Sequence, residues 1–232
     1  MMNQKELKEK METIKNRGFF PSLRKGDTGI GYTFESEMGL QETNIAIPDI
    51  GGRFEIKTTR KKSANLITLF TFNKAVWKVS QKDVIDRFGY KDEKGRPALY
   101  NTVFNNQNNS SNLSIGIDRI KNTISLYETD TCLAEWDLFV LVGKFSTKLS
   151  RVLLVIAESE MRENREHFFY NEAYLLLEPE TRKFIEAFER SLVGIDIRMH
   201  LKENGAVRNH GTGFRCREYD LKNLYQKVVR IL

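Results

Sequence analysis

The sequence is poor in cysteine: among 232 residues only Cys132 and Cys216 occur, and they are far apart. There is no CxxC pair and no Cys/His cluster, so neither a disulfide framework nor a zinc site is indicated. Any bound metal ion is therefore expected to have oxygen ligands. The chain also lacks an apolar run that could act as a signal peptide or cross a bilayer. We expect a cytoplasmic protein with no membrane partner.

The charge balance is mildly basic. Lysine and arginine total 37 against 31 acidic residues, which gives a net charge of +6. An excess of this kind suits an anionic partner, although scattered lysines are also typical of an ordinary solvated surface. The apolar fraction of 40% is enough for one well-buried core. With no internal repeat or linker, we predict a single domain over residues 1–232, within which two lobes can be distinguished.

Hydrophobic periodicity predicts two helices near the N-terminus and a mixed sheet after them. Leu7, Met11 and Ile14 share one face of a helix over residues 5–17. A second helix is predicted between an N-cap at Thr28 and a stop at Gly39, with inward positions at Ile30, Phe34 and Met38. Strand patterns follow over residues 45–72, 114–128, 152–158, 168–177, 193–200 and 214–219. The expected fold class is α/β or α+β around a mixed sheet.

Three further segments complete this prediction. Residues 87–112 are polar, contain Gly95 and Pro97 and end in an Asn/Ser tract, which predicts a long functional loop. A helix is predicted over residues 136–149. Another is predicted to begin at Pro179, because proline is favoured in a first helical turn. Residues 202–213 are predicted to be a loop, and the chain to end with a helix and a strand.

The segment PDIGGRFEIK, residues 48–57, has the pattern of a catalytic site. On a strand, Glu55 and Lys57 project from one face, whereas Phe54 and Ile56 project from the other, towards the core. Asp49 would approach the same place across the bend at residues 51–52. Two nearby carboxylates favour a hard divalent cation such as Mg²⁺, and a lysine beside them can orient an attacking water. The alternative is an ordinary ion pair on an exposed strand.

Several segments resemble the MvaI/BcnI-type restriction endonucleases, a family related to the mismatch-repair nicking enzyme MutH. The similar segments occur in the same order over most of the chain: KGDTGIGYTFE (25–35), PDIGGRFEIKT (48–58), LITLFT (66–71), RFGYKDEKG (87–95) and HGTGFR (210–215). This agreement is much more specific than the short PD-(D/E)xK pattern alone. The resemblance implies a MutH-like PD-(D/E)xK fold and Mg²⁺-dependent cleavage of double-stranded DNA.

The resemblance also assigns catalytic residues. It implies Asp49 and Glu55 as metal ligands and Lys57 as their catalytic partner. Glu35 matches the helical glutamate of the MutH-like pattern, because it directly follows the TGIGYTF run. Glu37 lies on the same predicted helix and competes for this role, and a solvent-facing acid is the plain alternative for either residue. We expect a catalytic lobe over about residues 1–160.

DNA recognition is predicted in two regions, residues 87–112 and 193–217. Asp196 and Arg198 share one face of the strand VGIDIRMH, where an Asp suits cytosine N4 and an Arg suits guanine O6 and N7. A structural ion pair is the alternative. In RNHGTGFR, glycines allow close approach to a ligand, and the basic side chains near them are Arg208, His210 and Arg215. The alternative for His210 is a loop-capping role, and the sequence suggests no partner for His167 or His200. The resemblance supports base contacts here and a site with outer C·G pairs.

A basic run follows the catalytic strand, and its members, Arg60, Lys61 and Lys62, are predicted to contact phosphates. A solvated turn is the alternative.

The resulting hypothesis is a type II restriction endonuclease of a prokaryotic cytoplasm. By the resemblance it acts as a monomer on double-stranded DNA, and a cognate DNA methyltransferase is expected in the same cell. A MutH-like strand-nicking enzyme and a catalytically silent DNA-binding protein are the alternatives. An RNA-binding protein is disfavoured, since no RNA-binding module is recognisable.

Overall fold

The computed structural model describes residues 4–40, 49–50, 54–62, 64–105, 109 and 111–232. Within these ranges none of the helices is long and apolar enough to span a membrane. In chain order the elements are α1 (Gln4–Asn16), β1 (Phe20–Pro21), α2 (Gly29–Glu37), β2 (Glu55–Arg60), β3 (Ile67–Phe72), β4 (Val76–Trp77), α3 (Gln81–Phe88), β5 (Tyr90–Lys91), β6 (Pro97–Val103), β7 (Leu113–Asp118), β8 (Thr123–Glu128), β9 (Thr131–Asp137), α4 (Leu138–Lys148), β10 (Arg151–Arg162), β11 (Arg165–Pro179), α5 (Thr181–Glu189), β12 (Val193–Leu201), β13 (Val207–Asn209), β14 (Thr212–Cys216), α6 (Glu218–Asn223) and β15 (Tyr225–Arg230).

The chain divides into two compact units. Unit 1 comprises residues 1–67, 146–180 and 221–232, and unit 2 comprises residues 68–145 and 181–220. Both are discontinuous in sequence. The division runs through the catalytic lobe of about residues 1–160 that the sequence suggested, because residues 68–145 belong to unit 2.

A five-stranded sheet forms the centre of unit 1. Its order is β1-β11-β10-β2, with β15 also pairing with β11. β10 and β11 pair antiparallel over most of their length, whereas β2 pairs with β10 in parallel. In this register Glu55 lies opposite Val152, so both strands begin at the same end of the sheet. Because the two strands start together, the end of α4, which precedes β10, lies beside Glu55 of β2.

The core of unit 1 follows the periodicities of its sequence. The helices α1 and α2 bury the predicted residues Leu7, Met11, Ile14, Ile30, Phe34 and Met38. Thr28 is the N-cap of α2, as predicted, although its side chain makes no capping hydrogen bond. Phe54 and Ile56 pack into the same core from β2, together with alternate residues of β10. The strand face with Phe54 and Ile56 is therefore the core face, which confirms the predicted alternation.

Unit 2 contains two sheets. One has the order β3-β14-β12-β6-β5, with β13 pairing to β12, and the other has the order β4-β9-β8-β7. β12 lies between β14 and β6 and is buried along almost its whole length. Aromatic rings fill the space beside it: Phe145 stacks on Phe184 with centroids 4.3 Å apart, and Trp136 meets Phe214 edge to face. This packing fixes the strand on which Asp196 and Arg198 lie.

The prediction of a long loop over residues 87–112 was wrong for most of its described part. The segment contains the last two residues of α3 and a hairpin made of β5 and β6. β6 pairs directly with β12. The hairpin turn depends on Asp92, whose Oδ1 accepts from the backbone N–H groups of Lys94 and Arg96. Gly95 supplies a positive φ of 71° in the same turn. Residues 106–108 and 110 of the Asn/Ser tract lie outside the described residues.

Four boundaries also differ from the sequence prediction. Residues 131–137 form β9, so the helix predicted from Trp136 begins only at Leu138. Pro179 is the last residue of β11, and α5 starts at Thr181. The predicted loop over residues 202–213 contains β13, and the strand predicted over residues 214–219 ends at Cys216, just before α6. In the first three cases pairing with a neighbouring strand outweighed local propensity.

Candidate active site

Asp49 lies beside the start of β2. Ile50 and Phe54 form an antiparallel bridge, in which the Ile50 N–H donates to the Phe54 carbonyl at 2.9 Å. The Ile56 N–H then donates to Oδ2 of Asp49 at 2.7 Å. Asp49 therefore lies beside the first residues of β2, as predicted. Pro48 and the Gly-Gly bend predicted at residues 51–52 lie outside the described residues.

Glu55 is a buried carboxylate with one engaged oxygen. Its side chain is only 4% exposed, and its Oε1 accepts from Lys57 Nζ at 2.8 Å. Its Oε2 is buried and has no hydrogen-bond partner among the described residues. An exposed ion pair, the alternative interpretation, would leave both groups in water, so burial argues against it. A buried carboxylate oxygen without a partner is costly unless a ligand completes it.

Lys148 is a component of this site that the sequence did not reveal. Its Nζ lies 3.4 Å from Oε1 of Glu55, and it is the last residue of α4. Nothing in its local pattern separates it from other lysines at helix ends. Its position depends on the fold, because α4 ends just before β10, a strand that pairs in parallel with β2. Parallel pairing brings the segment before β10 close to the start of β2.

The electrostatics of the site combine two carboxylates with two ammonium groups. Burial and the charge of Glu55 raise the pKa of the Asp49 carboxyl, whereas the Ile56 N–H and the charges of Lys57 and Lys148 lower it by less. The ionised form of Asp49 is therefore disfavoured at this position. A cation placed beside both acids would relieve this.

The donor set fits a hydrated divalent ion. Among the described residues, no group of three or more His, Cys, Asp or Glu side chains converges to hold a metal alone. Asp49 and Glu55 would supply two oxygen ligands, including the unpartnered Oε2 of Glu55. Mg²⁺ is commonly bound by one or two carboxylates, with water and substrate phosphate in its other positions. The residues present fit that group.

The structure distinguishes the two glutamates of α2. Glu37 pairs with Arg17, the residue that follows α1, with Nη1 of Arg17 2.6 Å from Oε2 of Glu37. Glu35 instead lines an open cleft of about 280 Å³ together with Gly31 of its own helix and Thr58 of β2. A Cβ built on Gly31 would lie 3.2 Å from the Thr58 hydroxyl, so this glycine allows α2 to approach the strand closely. These contacts favour Glu35 over Glu37 as the acid associated with β2.

The basic run after the catalytic strand divides into residues with different surroundings. Arg60 makes a bidentate pair with Glu166, at 2.6 Å and 2.7 Å, and its guanidinium stands over the ring of Phe168. This arrangement favours a structural role for Arg60. Lys61 makes a surface pair with Glu158 at 3.1 Å, and Lys62 is exposed in a turn with a φ of 59°. The lysines thus suit a phosphate contact better than Arg60 does.

In unit 2, Asp196 is the centre of a cluster of side chains. It is buried, accepts from the Thr102 hydroxyl at 3.0 Å, and lies 3.6 Å from Arg198 and 3.5 Å from Arg215. Burial raises the pKa of Asp196, and the two arginines and Thr102 lower it. Arg198 also donates to the hydroxyl of Thr71 at 2.8 Å. The predicted Asp196/Arg198 pair is thus joined by Arg215 from β14.

The predicted basic loop lies beside this cluster. His210 is exposed, and its backbone N–H donates to the Arg198 carbonyl at 2.9 Å. Arg208 is exposed on β13. Gly211 has a φ of 82°, and a Cβ there would lie 1.7 Å from Oδ1 of Asn73. Backbone and side-chain packing therefore require this glycine. His200, for which the sequence suggested no partner, contacts His210 directly at 3.3 Å.

A carboxylate pair and a lysine at the start of a strand that pairs in parallel with its neighbour, in a mixed α+β fold, define a phosphodiester-cleaving nuclease of the PD-(D/E)xK type. The profile of the MvaI/BcnI restriction endonuclease family matches residues 8–225, and the chain belongs to this family. It is a type II restriction endonuclease, a site-specific deoxyribonuclease. The predicted family, fold class and enzyme class are confirmed. Restriction endonucleases generally use a divalent metal ion.

Two solved structures are similar to this one over its whole length. Restriction endonuclease MvaI in complex with its cognate DNA substrate is 28% identical, with 100% of both chains covered and a TM-score of 0.82. MvaI in the absence of DNA is 26% identical, with 100% of this chain and 99% of that chain covered and a TM-score of 0.55. No curated protein matches the sequence.

Proposed function

We propose that this restriction endonuclease hydrolyses double-stranded DNA with Mg²⁺ held by Asp49 and Glu55, and that Lys57 assists the attacking water. The observation that carries the proposal is the buried Oε2 of Glu55, which has no hydrogen-bond partner among the described residues and lies in the same site as Asp49. When bound, the ion supplies positive charge beside the scissile phosphate and lowers the pKa of water.

The side chains of the site have distinct tasks in this proposal. Asp49 is oriented by the Ile56 N–H, which leaves its other oxygen available as a ligand. Lys57 is held by Glu55 at 2.8 Å and can donate to the attacking water or to a phosphate oxygen. Glu35 supports the site from α2, either as an outer ligand or by orienting Lys57. Because Glu55 is buried between two lysines, its carboxylate stays in a fixed position.

The catalytic part is tested by substitution and metal titration. Asp49→Asn, Glu55→Gln and Lys57→Ala should each reduce cleavage by more than about a hundredfold, because each group acts on charge that develops in the transition state. Binding of Mn²⁺ as a Mg²⁺ substitute, followed by electron paramagnetic resonance, should weaken for the two acid variants and persist in Lys57→Ala. Glu160→Gln, in a surface pair with Arg162, is the control. Unchanged Mn²⁺ binding in both acid variants would contradict the metal assignment.

We also propose that the Asp196 cluster contacts base edges in a short site with outer C·G pairs. Asp196 can accept from cytosine N4, and Arg198 and Arg215 can each donate twice to guanine O6 and N7. Their mutual ion pairs, at 3.5–3.6 Å, are long enough to be exchanged for base contacts. Arg208 and His210 are placed at the edge of the same sheet, where both are exposed.

Binding in Ca²⁺ separates base contacts from phosphate contacts. Arg198→Ala or Arg215→Ala should weaken cognate binding by about 1–3 kcal/mol more than binding to a scrambled duplex. Lys61→Ala should weaken binding to both duplexes and reduce the salt dependence by about one unit of slope. The measurement is affinity for both duplexes over several salt concentrations. Equal losses on both duplexes for the arginine variants would place them with the phosphate contacts.

The cellular setting follows from the same proposal. An enzyme that cuts a short site would also cut the chromosome of its host, so a cognate DNA methyltransferase is expected in the same prokaryotic cytoplasm. The enzyme is proposed to act as a monomer.

A further inference from the structure

His200 is a buried histidine with a polar partner on each ring nitrogen. Its Nε2 lies 3.1 Å from Nη1 of Arg96. Its Nδ1 lies 3.1 Å from the Tyr100 hydroxyl and 3.3 Å from Nε2 of His210. All four side chains belong to unit 2: Arg96 and Tyr100 lie on the β5–β6 hairpin, His200 lies on β12, and His210 follows β13. They form a continuous chain of contacts that ends at an exposed ring.

The chemistry of arginine determines the direction of these hydrogen bonds. A guanidinium has donors only, so Arg96 must donate to Nε2 of His200. That nitrogen is then the acceptor of a neutral imidazole, and the ring proton must be on Nδ1. Nδ1–H in turn faces the Tyr100 hydroxyl oxygen and Nε2 of His210, and its single hydrogen is shared between these two acceptors. For His210 this means an unprotonated Nε2, so the proton of its neutral ring is on Nδ1.

We propose that Arg96, acting through His200, is a positioning residue that fixes His210 as a neutral hydrogen-bond donor through Nδ1. This inference rests on the proposed role of His210 at the DNA. A donor suits the acceptors of the major groove, which are purine N7, guanine O6 and thymine O4, and it is unfavourable opposite the amino groups of cytosine or adenine. Arg96 would therefore influence base discrimination without itself contacting a base.

The surroundings of the two rings agree with this assignment. Asp92 accepts from Nε and Nη2 of Arg96 at 2.9 Å and 2.7 Å, which holds the guanidinium in place. Burial, followed by the charge of Arg96, lowers the pKa of His200, and burial and His200 lower the pKa of His210. Both rings are thus kept neutral. The charged groups that act on them are Arg96, Asp92, Arg198, Lys202 and Arg208.

Nuclear magnetic resonance of ¹⁵N-labelled histidine tests the protonation states directly. Long-range ¹H–¹⁵N correlations distinguish Nδ1–H from Nε2–H rings, and the chain has only three histidines. The His167→Gln variant identifies the signals of the third histidine by their disappearance. At neutral pH both His200 and His210 should be Nδ1–H in the wild-type enzyme. Arg96→Met should shift both rings towards a tautomer mixture, whereas Lys202→Met, which removes a nearby exposed charge that makes no ring contact, should not.

Cleavage specificity supplies the second measurement. Arg96→Met should lower kcat/KM on the cognate site relative to singly substituted sites by about tenfold, the effect of one misdirected hydrogen bond. Arg96→Lys keeps a hydrogen-bond donor and the positive charge, so it should recover much of this lost specificity. This variant can be measured in place of Arg96→Met if the methionine variant folds poorly. An Nε2–H ring at His200 in the wild-type enzyme, or unchanged tautomers in Arg96→Met, overturns the proposal. If the tautomers shift but His210→Ala leaves base discrimination unchanged, the proposed role of His210 at the DNA fails instead.

Discussion

At the scale of single residues, the site is organised by the two oxygens of Glu55. Oε1 takes both lysine contacts, at 2.8 Å and 3.4 Å, and Oε2 is left for a ligand. A carboxylate that is 4% exposed cannot rely on water to stabilise its charge. The lysines therefore do more than form a surface ion pair, because their contacts with Oε1 orient the buried carboxylate of Glu55.

Lys148 should contribute to turnover, but less than Lys57. Its contact with Glu55 is longer and its side chain is 26% exposed, against 14% for Lys57. Lys148→Met should therefore lower the single-turnover rate by about tenfold, which corresponds to a partly screened charge contact. Lys144→Met, one turn earlier on α4, is the matched control and should cleave at close to the wild-type rate. A wild-type rate in Lys148→Met would remove this lysine from the site.

The two glutamates of α2 should behave differently. Glu35 lines the cleft beside Thr58, whereas Glu37 is paired with Arg17. Glu35→Gln should thus reduce kcat by about tenfold or more. Glu37→Gln should change kcat little and lower only the thermal stability, by a few tenths of a kcal/mol for a partly exposed pair. Rapid-quench cleavage and thermal unfolding of both variants measure these effects. The reverse ranking in kcat would assign the active-site role to Glu37.

At the scale of elements, Gly211 joins the basic loop after β13 to β14. Gly211 and Gly205 both have a positive φ, 82° and 76°, but a Cβ at Gly205 would enter open space. Gly205→Ala should cost only the backbone strain, about 1 kcal/mol. Gly211→Ala should cost about 1–3 kcal/mol more, because it displaces Asn73 and Thr71, and it should also weaken cognate binding. Chemical denaturation and cognate affinity of the two variants test this. Equal stabilities of the Gly205→Ala and Gly211→Ala variants would show that the loop accommodates a Cβ at residue 211 without further cost.

Helices and strands whose own apolar periodicity identifies them could be predicted from the sequence. The two faces of β2 follow from alternation, and α1 and α2 follow from apolar spacing, so Asp49, Glu55 and Lys57 could be proposed together. β6 could not be predicted in this way, because Tyr100, Asn101 and Thr102 make its pattern polar. Its hairpin turn also relies on hydrogen bonds of the Asp92 side chain. Such a strand is stabilised by pairing with β12, which local pattern does not reveal.

Contacts that depend on chain topology were also beyond the sequence. Lys148 reaches Glu55 only because β10 pairs in parallel with β2. The pairing of Arg60 with Glu166, which lies on β11, likewise depends on the order of strands in the sheet. The basic run of residues 60–62 gave no indication that its first member would be held in the protein. Spacing along one strand predicts a shared face, but it does not predict which distant residue covers that face.

At the scale of the whole molecule, each chain carries one Asp49–Glu55–Lys57 site, whereas a duplex has two strands to cut. A monomer must therefore cleave the strands in successive events. A supercoiled plasmid with one recognition site should pass through an open-circle intermediate before becoming linear, and both steps should be first order in enzyme. A MutH-like nicking enzyme would stop at the open circle. Sequencing the ends of the linear product then gives the site and the position of cleavage.

Mixing active and inactive chains tests the monomer itself. Glu55→Gln removes the charge of the buried acid but leaves unchanged the residues of unit 2 that we propose to contact bases. The variant is added to the wild-type enzyme in equal amount, with recognition sites in excess over both. If the enzyme acts as a monomer, the initial rate of each strand cleavage should stay unchanged, because inactive chains occupy only a small share of the sites. If a dimer is required, mixed dimers form and the rate of double-strand cleavage falls although the concentration of wild-type chains is constant. Sedimentation of the enzyme with a cognate duplex in Ca²⁺ provides an independent check, since one chain per duplex is expected. A decline of the rate in the mixture, together with two chains per duplex, would show that the second strand is cut by a second subunit.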